Sequence, residues 1–164
     1  MLANLPLSRP NTQQMSEIDK LSRTILHELL SDGRISNTEL ADRVGLSASA
    51  CLRRVQALER SGVIRGYRAV LDGAALGIGF TAYVAVGLSD HTKESQEAFE
   101  RSIILSPEVR ECHNITGAFE YLLRVEVTDL AAYKIFHTDV LGTLPQVSAI
   151  TTYVVMDSAK DERA

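Results

Sequence analysis

Residues 36–60 read SNTELADRVGLSASACLRRVQALER, and this stretch decides how the N-terminal part of the chain folds. Ser36 and Glu39 have the spacing of a capping box, in which the serine accepts from one backbone N–H and the glutamate reaches back to another. Gly45 suits the left-handed position that ends a helix, and Ser47 suits the cap of the next one. That next helix has an apolar stripe at helical spacing, formed by Ala48, Cys51, Val55 and Leu58.

Another helix is expected before this pair, over residues 17–31. Its apolar positions step by three, four and four residues, and they are Ile18, Leu21, Ile25 and Leu29. Three short helices, of which the last two are joined by residues 44–47, are typical of a helix-turn-helix. The segment 63–71, with Gly66 at its bend, is expected to form a short strand pair, or wing.

The second half of the sequence alternates between strand and helix patterns. Strands are expected over 80–88, 109–115, 119–127 and 147–156, and helices over 91–105 and after the cap Asp129. The order β-α-β-β-α-β is that of a ferredoxin-like sandwich, one sheet with both helices on one face. These strands carry few charges, so the uncovered face is expected to pack against another copy. The predicted fold class is α+β, a winged helix-turn-helix domain plus a ferredoxin-like domain.

Composition predicts the domain boundaries. Residues 1–16 hold two prolines and many polar side chains, which favours a flexible arm over a secretion signal. The helix-turn-helix domain is expected over 17–72, and the α+β domain over 76–158, before a tail at 159–164. No apolar run approaches the roughly 20 residues needed to cross a bilayer. A cytoplasmic, nucleoid-associated protein with no membrane partner is therefore expected.

Charge is unevenly distributed along the chain. The net charge is −4, yet residues 17–70 hold nine Lys or Arg against seven Asp or Glu, and residues 71–164 hold seven against fourteen. Within 43–68, six arginines accompany a single acid, Glu59. Because salt screens charges beyond about 10 Å, a local basic surface attracts phosphate whatever the total charge. The distribution predicts a DNA-binding head on an acidic body.

The helix expected after Ser47 is the strongest candidate for contacting DNA. Its small first residues permit close approach to the major groove, and its free N–H groups and serine hydroxyls suit phosphate. Arg53 or Arg54 has the reach to contact a guanine edge, with the other on a phosphate. The predicted DNA-contacting set is Ser36, Ser47, Ser49, Ala50, Arg53 and Arg54. Spacing alone also fits a solvated charged helix, or a metabolite-binding module whose helical head contacts protein.

At these residues the chain resembles a known family. Residues 32–71 (DGRISNTELADRVGLSASACLRRVQALERSGVIRGYRAVL) are similar to the DNA-binding half of the Lrp/AsnC feast/famine regulators. Residues 111–127 (ECHNITGAFEYLLRVEV) and 151–156 (TTYVVM) resemble their amino-acid-responsive domain, and the likeness extends over about residues 17–157. It implies a transcription regulator, not an enzyme, that binds and bends double-stranded DNA. Dimers joined through the sheets and assembling to octamers, with amino-acid effectors between dimers, are further implications.

The resemblance also implies effector-response positions. The family's response loop, Gly-Asp-Phe-Asp in close relatives, falls here on Gly117, Ala118, Phe119 and Glu120; further positions fall on Leu130, Tyr153, Val154 and Val155. The changes at 118 and 120 leave the effector open, a small apolar or basic amino acid being expected. A zwitterion also needs backbone groups and hydroxyls, which Thr116, Thr151 and Thr152 offer, while Glu120 suits an ammonium. From the residues alone, 116–118 fit an ordinary hairpin turn and Glu120 a solvated strand residue.

Other chemistry finds little support in the sequence. Cys112 and His113 are neighbours on a strand and point to opposite faces, so they do not share a ligand. No second pair has zinc-like spacing and no glycine loop suits a phosphate, so no metal or cofactor is expected besides the effector. An enzyme centred on His113 and Glu120 is the alternative from another class, without a third polar partner in the sequence. Cys51 and Cys112 are expected to be reduced, buried thiols.

Overall fold

The computed structural model describes residues 18–161, and the chain divides into two compact units between Ala69 and Val70. The arm predicted for residues 1–16 and the last three residues of the predicted tail lie outside the described residues. Among the helices of the described part, none is long and apolar enough to cross a membrane.

Three capped helices form the first unit: α1 (Lys20–Ser31), α2 (Asn37–Val44) and α3 (Ala48–Arg60). Asp19, Ser36 and Ser47 each accept from the backbone N–H three residues on, over 2.7, 3.2 and 3.3 Å. Gly45 ends α2 with a φ of 69°, which costs a glycine no steric strain. The predicted helix-turn-helix is confirmed.

Two details at the helix starts differ from the prediction. α1 begins at Lys20 rather than at residue 17, because the short Asp19 carboxylate reaches the Ser22 N–H and caps the helix there. The capping box of α2 is half formed, since the Glu39 carboxylate of the described chain accepts from Arg43 over 2.7 Å instead of reaching back.

The core of this unit is built from the predicted stripes. Ile25 of α1 and Cys51 of α3 are completely buried, and Leu40, Ala41, Val44 and Leu58 pack around them. Ala48 is exposed, contrary to the prediction, and it is the first residue of α3, before the part of the helix that is buried. A buried aliphatic side chain of this size contributes about 1.5–3 kcal/mol, so the stripe of α3 fixes which of its faces is turned outward.

The predicted strand pair at 63–71 is not formed. Residues 65–72 of the described chain form neither a strand nor a helix. The Ile64 N–H donates to the Leu58 carbonyl over 3.1 Å, and the Tyr67 hydroxyl donates to Glu59 over 3.0 Å. These contacts hold the segment against the end of α3, and arms of a few residues are too short to form a stable hairpin by themselves.

The second unit contains the predicted β-α-β-β-α-β order: β1 (Phe80–Leu88), α4 (Lys93–Ile104), β2 (Val109–Asn114), β3 (Tyr121–Val127), α5 (Leu130–Ile135) and β4 (Val147–Val154). The strands lie in the order β2-β3-β1-β4, and every neighbouring pair is antiparallel. α5 continues as a π turn at Phe136–Val140 and a 3-10 turn at Leu141–Thr143. The α+β fold class is confirmed.

Both helices of this unit pack on one face of the sheet. Phe99 and Ile103 of α4, with Tyr133 of α5, share a core with the inward residues of β1 and β3. Inward and outward positions alternate strictly along β3, whose buried residues are Tyr121, Leu123, Val125 and Val127. Leu122, Arg124 and Glu126 therefore face away from the helices.

This second face of the sheet is more charged than predicted. The Arg124 guanidinium lies 2.8 Å from Glu126 and 3.2 Å from Asp161, and Arg110 lies 3.1 Å from Glu126. The charged residues of β3 occupy every second position and alternate with buried apolar residues. The strand prediction gave weight to the apolar residues and therefore underestimated the charge on the outward face. β1 and β4 supply uncharged side chains to the same face, namely Tyr83, Ala85, Thr151 and Tyr153. The expectation of few charges is wrong for β2 and β3.

Candidate DNA-binding and effector-binding sites

Side chains from α1 and α2 hold α3 in place. The Asn37 amide at the start of α2 donates to the Ala48 carbonyl at the start of α3 over 2.8 Å. Arg43 links α2 to α1 through Glu28, over 3.0 Å, and also pairs with Glu39. These two carboxylates raise the pKa of Arg43 above its ordinary value. The Arg43 guanidinium is therefore bound by two carboxylates of its own unit.

Arg54 is also engaged within the first unit. Its guanidinium lies 2.7 Å from the Asp19 carboxylate and 3.1 Å from the Ser22 hydroxyl, both at the start of α1. The Ser22 N–H and the Arg54 guanidinium, in that order, lower the pKa of Asp19 from 3.8 to about 2. Arg54 therefore lies on the flank of α3 that meets α1, and not on the face opposite the core.

Four other arginines of the basic cluster are exposed, Arg68 among them. Arg53, Arg60 and Arg65 have neither an ion pair nor a hydrogen bond in the part of the chain that the structure describes. These three guanidinium groups remain available to phosphates or base edges. Because Arg43 and Arg54 are paired with carboxylates of the chain, fewer arginines are available to DNA than the count of six indicated.

The predicted serines lie at the two helix starts. Ser36, Ser47 and Ser49 are exposed, and Ala50 is half-buried. The Ser47 hydroxyl caps α3 through the Ala50 N–H and lies 3.3 Å from the Ser49 hydroxyl. Ser47, Ser49 and Ala50 thus occupy the first turn of α3, while Ser36 caps the neighbouring α2.

The predicted response loop connects β2 to β3. It is longer than a tight turn, since Asn114 pairs with Tyr121 and six residues lie between them. Thr116, Gly117 and Ala118 are exposed, and Phe119 is half-buried. Gly117 has a φ of 147°, and a Cβ there would meet no described atom within 4 Å. The glycine is therefore favoured by the backbone conformation and not by the space above it.

Glu120 has partners within its own chain. Its carboxylate accepts from the Leu88 N–H over 2.7 Å and lies 3.1 Å from Nδ1 of His91. The side chain is 16% exposed, so it is no solvated strand residue. Its hydrogen bond with Leu88 connects the response loop to the end of β1.

The remaining predicted effector residues lie between the middle of β1 and its start. Leu130 begins α5 and is 64% exposed, and Tyr153 and Val154 at the end of β4 are 56% and 52% exposed. Thr152 is half-buried, and its hydroxyl lies 2.5 Å from that of Tyr133. Val154 pairs with Ala82, near the first residue of β1.

The strand register gives the distance along β1 between these two groups. Glu120 lies beside Gly87 and Leu88, whereas Val154 pairs with Ala82. Five residues of β1 separate the two positions, which at about 3.3 Å per residue is roughly 17 Å. A single chain therefore keeps Glu120 and Val154 apart, whereas Thr152, which pairs with Val84, lies between them along β1.

The enzyme alternative gains no support from the geometry. His113 lies 3.2 Å from Glu111 on the sheet, while Glu120 contacts His91 and Leu88. Among the described residues no three His, Cys, Asp or Glu side chains are grouped to hold a metal ion. Burial raises the pKa of the Cys112 thiol to about 11 and also raises that of Cys51, as inert thiols require.

Asp19 and Asn37 were missed by the sequence reasoning. A signal for Asp19 was present, because aspartate just before an apolar-periodic segment is a strong helix cap. Its ion pair with Arg54 spans 35 positions and left no local signal. Asn37 likewise contacts a carbonyl 11 positions away.

Comparison with known proteins agrees with this architecture. A model of winged helix-turn-helix DNA-binding domains matches residues 18–65, and a model of the Lrp/AsnC ligand binding domain matches residues 81–164. The leucine-responsive regulatory protein of Salmonella typhimurium is 42% identical over 144 residues, 88% of either chain.

Two solved structures are similar over nearly the whole chain. A transcriptional regulator from Neisseria meningitidis, in complex with L-methionine, is 36% identical with a TM-score of 0.84, covering 87% of this chain and 92% of that one. A feast or famine regulatory protein from M. tuberculosis, also complexed with L-methionine, is 30% identical with a TM-score of 0.78, covering 90% and 97%.

A helix-turn-helix unit joined to a ligand-binding α+β unit defines a DNA-binding transcription regulator and not an enzyme. The matches over both units make the assignment specific: this chain belongs to the Lrp/AsnC family.

Proposed function

We propose that this protein regulates genes of amino-acid metabolism, and that an amino acid bound between its copies changes how it binds DNA. The observation that carries the proposal is the separation of two groups of predicted effector residues, the response loop beside Gly87 and Val154 beside Ala82 of β1. An amino acid is much shorter than roughly 17 Å, five residues of strand. A site that uses both groups takes them from different copies.

The DNA contacts follow from the face that α3 turns away from its core. Arg53 is exposed and Ser49 lies one turn before it, so both fit the major groove when the start of α3 enters it. Ser47, Ala50 and Ser36 line the two helix starts, where free N–H groups favour a phosphate. Arg54 was predicted to contact DNA directly. In this proposal it instead stabilises the position of α3 by binding Asp19 and Ser22 at the start of α1.

Oligomer formation is part of the proposal. β1 and β4 offer uncharged side chains on the face of the sheet away from α4 and α5, and a second copy of the sheet suits that face. Further assembly, to an octamer, juxtaposes the response loop of one dimer with Leu130 of another. Each dimer sets two α3 helices against one DNA duplex at the nucleoid.

The effector is proposed to be an amino acid with an apolar side chain, such as leucine or methionine. Leu130 and Val154 are apolar and more than half exposed, so a ligand that covers them gains hydrophobic free energy. Ala118 offers no carboxylate, and Glu120 is already held by Leu88 and His91, which disfavours a basic effector. Relatives bear on the choice, since one is named leucine-responsive and two are complexed with L-methionine.

Regulation works through linkage between effector and assembly. An amino acid that binds one oligomer or one DNA-bound form tenfold more tightly shifts the balance toward it by about 1.4 kcal/mol. That shift is large enough to change promoter occupancy.

The test is fluorescence anisotropy with a duplex from upstream of the protein's own gene, with and without each common amino acid, over a series of salt concentrations. We expect binding that weakens steeply with salt, because phosphate contacts release counterions, and a shift with leucine or methionine. Arg53→Ala should weaken binding, whereas Arg101→Ala, an exposed arginine on α4, should not. Equal DNA affinity of wild type and Arg53→Ala would refute the proposed DNA-binding surface. An unchanged DNA affinity in the presence of every amino acid would refute the proposed effector response.

A further inference from the structure

The face of α3 opposite its core carries a polar stripe that includes Gln56. At about 100° per residue, Arg53, Gln56 and Arg60 fall within roughly 40° of the direction opposite Cys51. Cys51 is completely buried, whereas all three polar side chains are exposed. The stripe is therefore turned away from α1 and α2 by the packing of Cys51 and Leu58.

Arg54 does not belong to this stripe. It lies about 60° from Cys51 on the flank of the helix, where Asp19 and Ser22 hold its guanidinium. Removing it from the set of base contacts leaves Arg53 and Gln56 as the long polar side chains nearest the start of α3. Neither has a hydrogen-bond partner among residues 18–161.

We infer that Arg53 and Gln56 are the residues that determine sequence specificity, Arg53 by pairing with a guanine and Gln56 with an adenine. This inference rests on the proposed DNA-binding function. An Arg guanidinium donates two hydrogen bonds to O6 and N7 of guanine, and a Gln amide accepts from N6 and donates to N7 of adenine.

The spacing along the helix sets the spacing of the bases. Three residues of α-helix advance about 4.5 Å, slightly more than the rise of about 3.4 Å between base pairs of DNA. Arg53 and Gln56 therefore address base pairs one or two steps apart. Each operator half-site should contain a guanine and an adenine at that spacing.

Arg60 provides the contrast within the same stripe. It lies about 10 Å further along the helix than Arg53, at the last residue of α3. Since the start of a recognition helix is the part that contacts base edges, the Arg60 guanidinium is placed for a phosphate. Its loss should weaken binding to all sequences alike.

The experiment is selection of duplexes from a randomised pool by the full-length protein, followed by competition binding with every single base change in the selected half-site. Wild type, Arg53→Ala, Gln56→Ala and Arg60→Ala are compared, after thermal unfolding has shown that each variant folds. We expect Gln56→Ala to lose about tenfold or more of the preference at one adenine, and Arg53→Ala the same at one guanine. Arg60→Ala should keep both preferences at lower affinity.

Two outcomes separate this inference from the proposed function. A wild-type motif that Arg53→Ala and Gln56→Ala select unchanged would overturn the inference and leave DNA binding intact. A wild-type protein that selects no sequence at all would overturn the proposed sequence-specific regulation, and the inference with it.

Discussion

The Arg54 guanidinium lies 2.7 Å from the Asp19 carboxylate and so ties the middle of α3 to the cap of α1. Both side chains are partly exposed, at 36% and 53%. A pair of this exposure stabilises little by itself. Its effect is expected mainly on the placement of α3, on which the proposed contact between Arg53 and DNA depends.

A double-mutant cycle distinguishes placement from direct contact. Asp19→Asn keeps the cap, since asparagine caps a helix as well as aspartate does, but removes the charge that holds Arg54. We expect Asp19→Asn and Arg54→Gln to weaken DNA binding to a similar degree, and the double variant to be no weaker than Arg54→Gln alone. Anisotropy titrations at one salt concentration measure all four proteins. If Arg54 touches DNA directly, Asp19→Asn will retain wild-type affinity while Arg54→Gln loses it.

The titration of Asp19 gives a second test of the same contact. Because its pKa is lowered to about 2 in the folded chain, from 3.8, the stability it contributes is complete above pH 3.8 and is lost as the pH falls toward 2. Carboxyl-detected NMR should find a pKa of about 2 in the wild type. In Arg54→Gln the pKa should rise but stay below 3.8, because the Ser22 N–H, the larger cause, remains. A wild-type value near 3.8 would show that neither bond persists in solution.

Local signals in the sequence were enough to predict most of the fold. Helix caps such as Ser47 and Asp129, the left-handed Gly45 and the alternation along β3 all act within a few residues. Contacts between distant segments were not predictable in this way. The partners of Arg54 and Glu120 lie more than 30 positions away, at Asp19 and Leu88, so the roles of those two side chains required the structure.

The predicted sites show the same division. The exposed positions of α3 followed from the helical period, because the apolar stripe determines the outward face. That the predicted effector residues Glu120 and Val154 lie apart depends on strand register, which the sequence does not state. Register pairs Val154 with Ala82 and leaves the response loop beside Gly87.

Gly117 should be sensitive to substitution although space is available around it. Its φ of 147° is strained for any residue with a Cβ, so Gly117→Ala is expected to lower the free energy of unfolding by about 1–2 kcal/mol. Gly73→Ala in the same unit is the matched control. A Cβ at position 73 would make only ordinary contacts, 3.7 Å from Ile78. The stability of the Gly73→Ala variant should therefore equal or slightly exceed that of the wild type. Urea unfolding measures both; equal stabilities for the two variants would show that the loop relaxes.

Mixed oligomers test whether the effector site is shared between copies. Ala118→Arg places a bulky charge in the response loop, and Leu130→Arg places one at the exposed start of α5. Each variant alone should lose methionine or leucine binding while retaining DNA binding. Refolded together in equal amounts, they should regain about a quarter of the wild-type sites by random assortment, because a site then takes an intact loop from one copy and an intact Leu130 from another. Equilibrium dialysis with the labelled amino acid counts these sites. A site contained in one chain predicts no recovery, since every chain in the mixture carries one substitution.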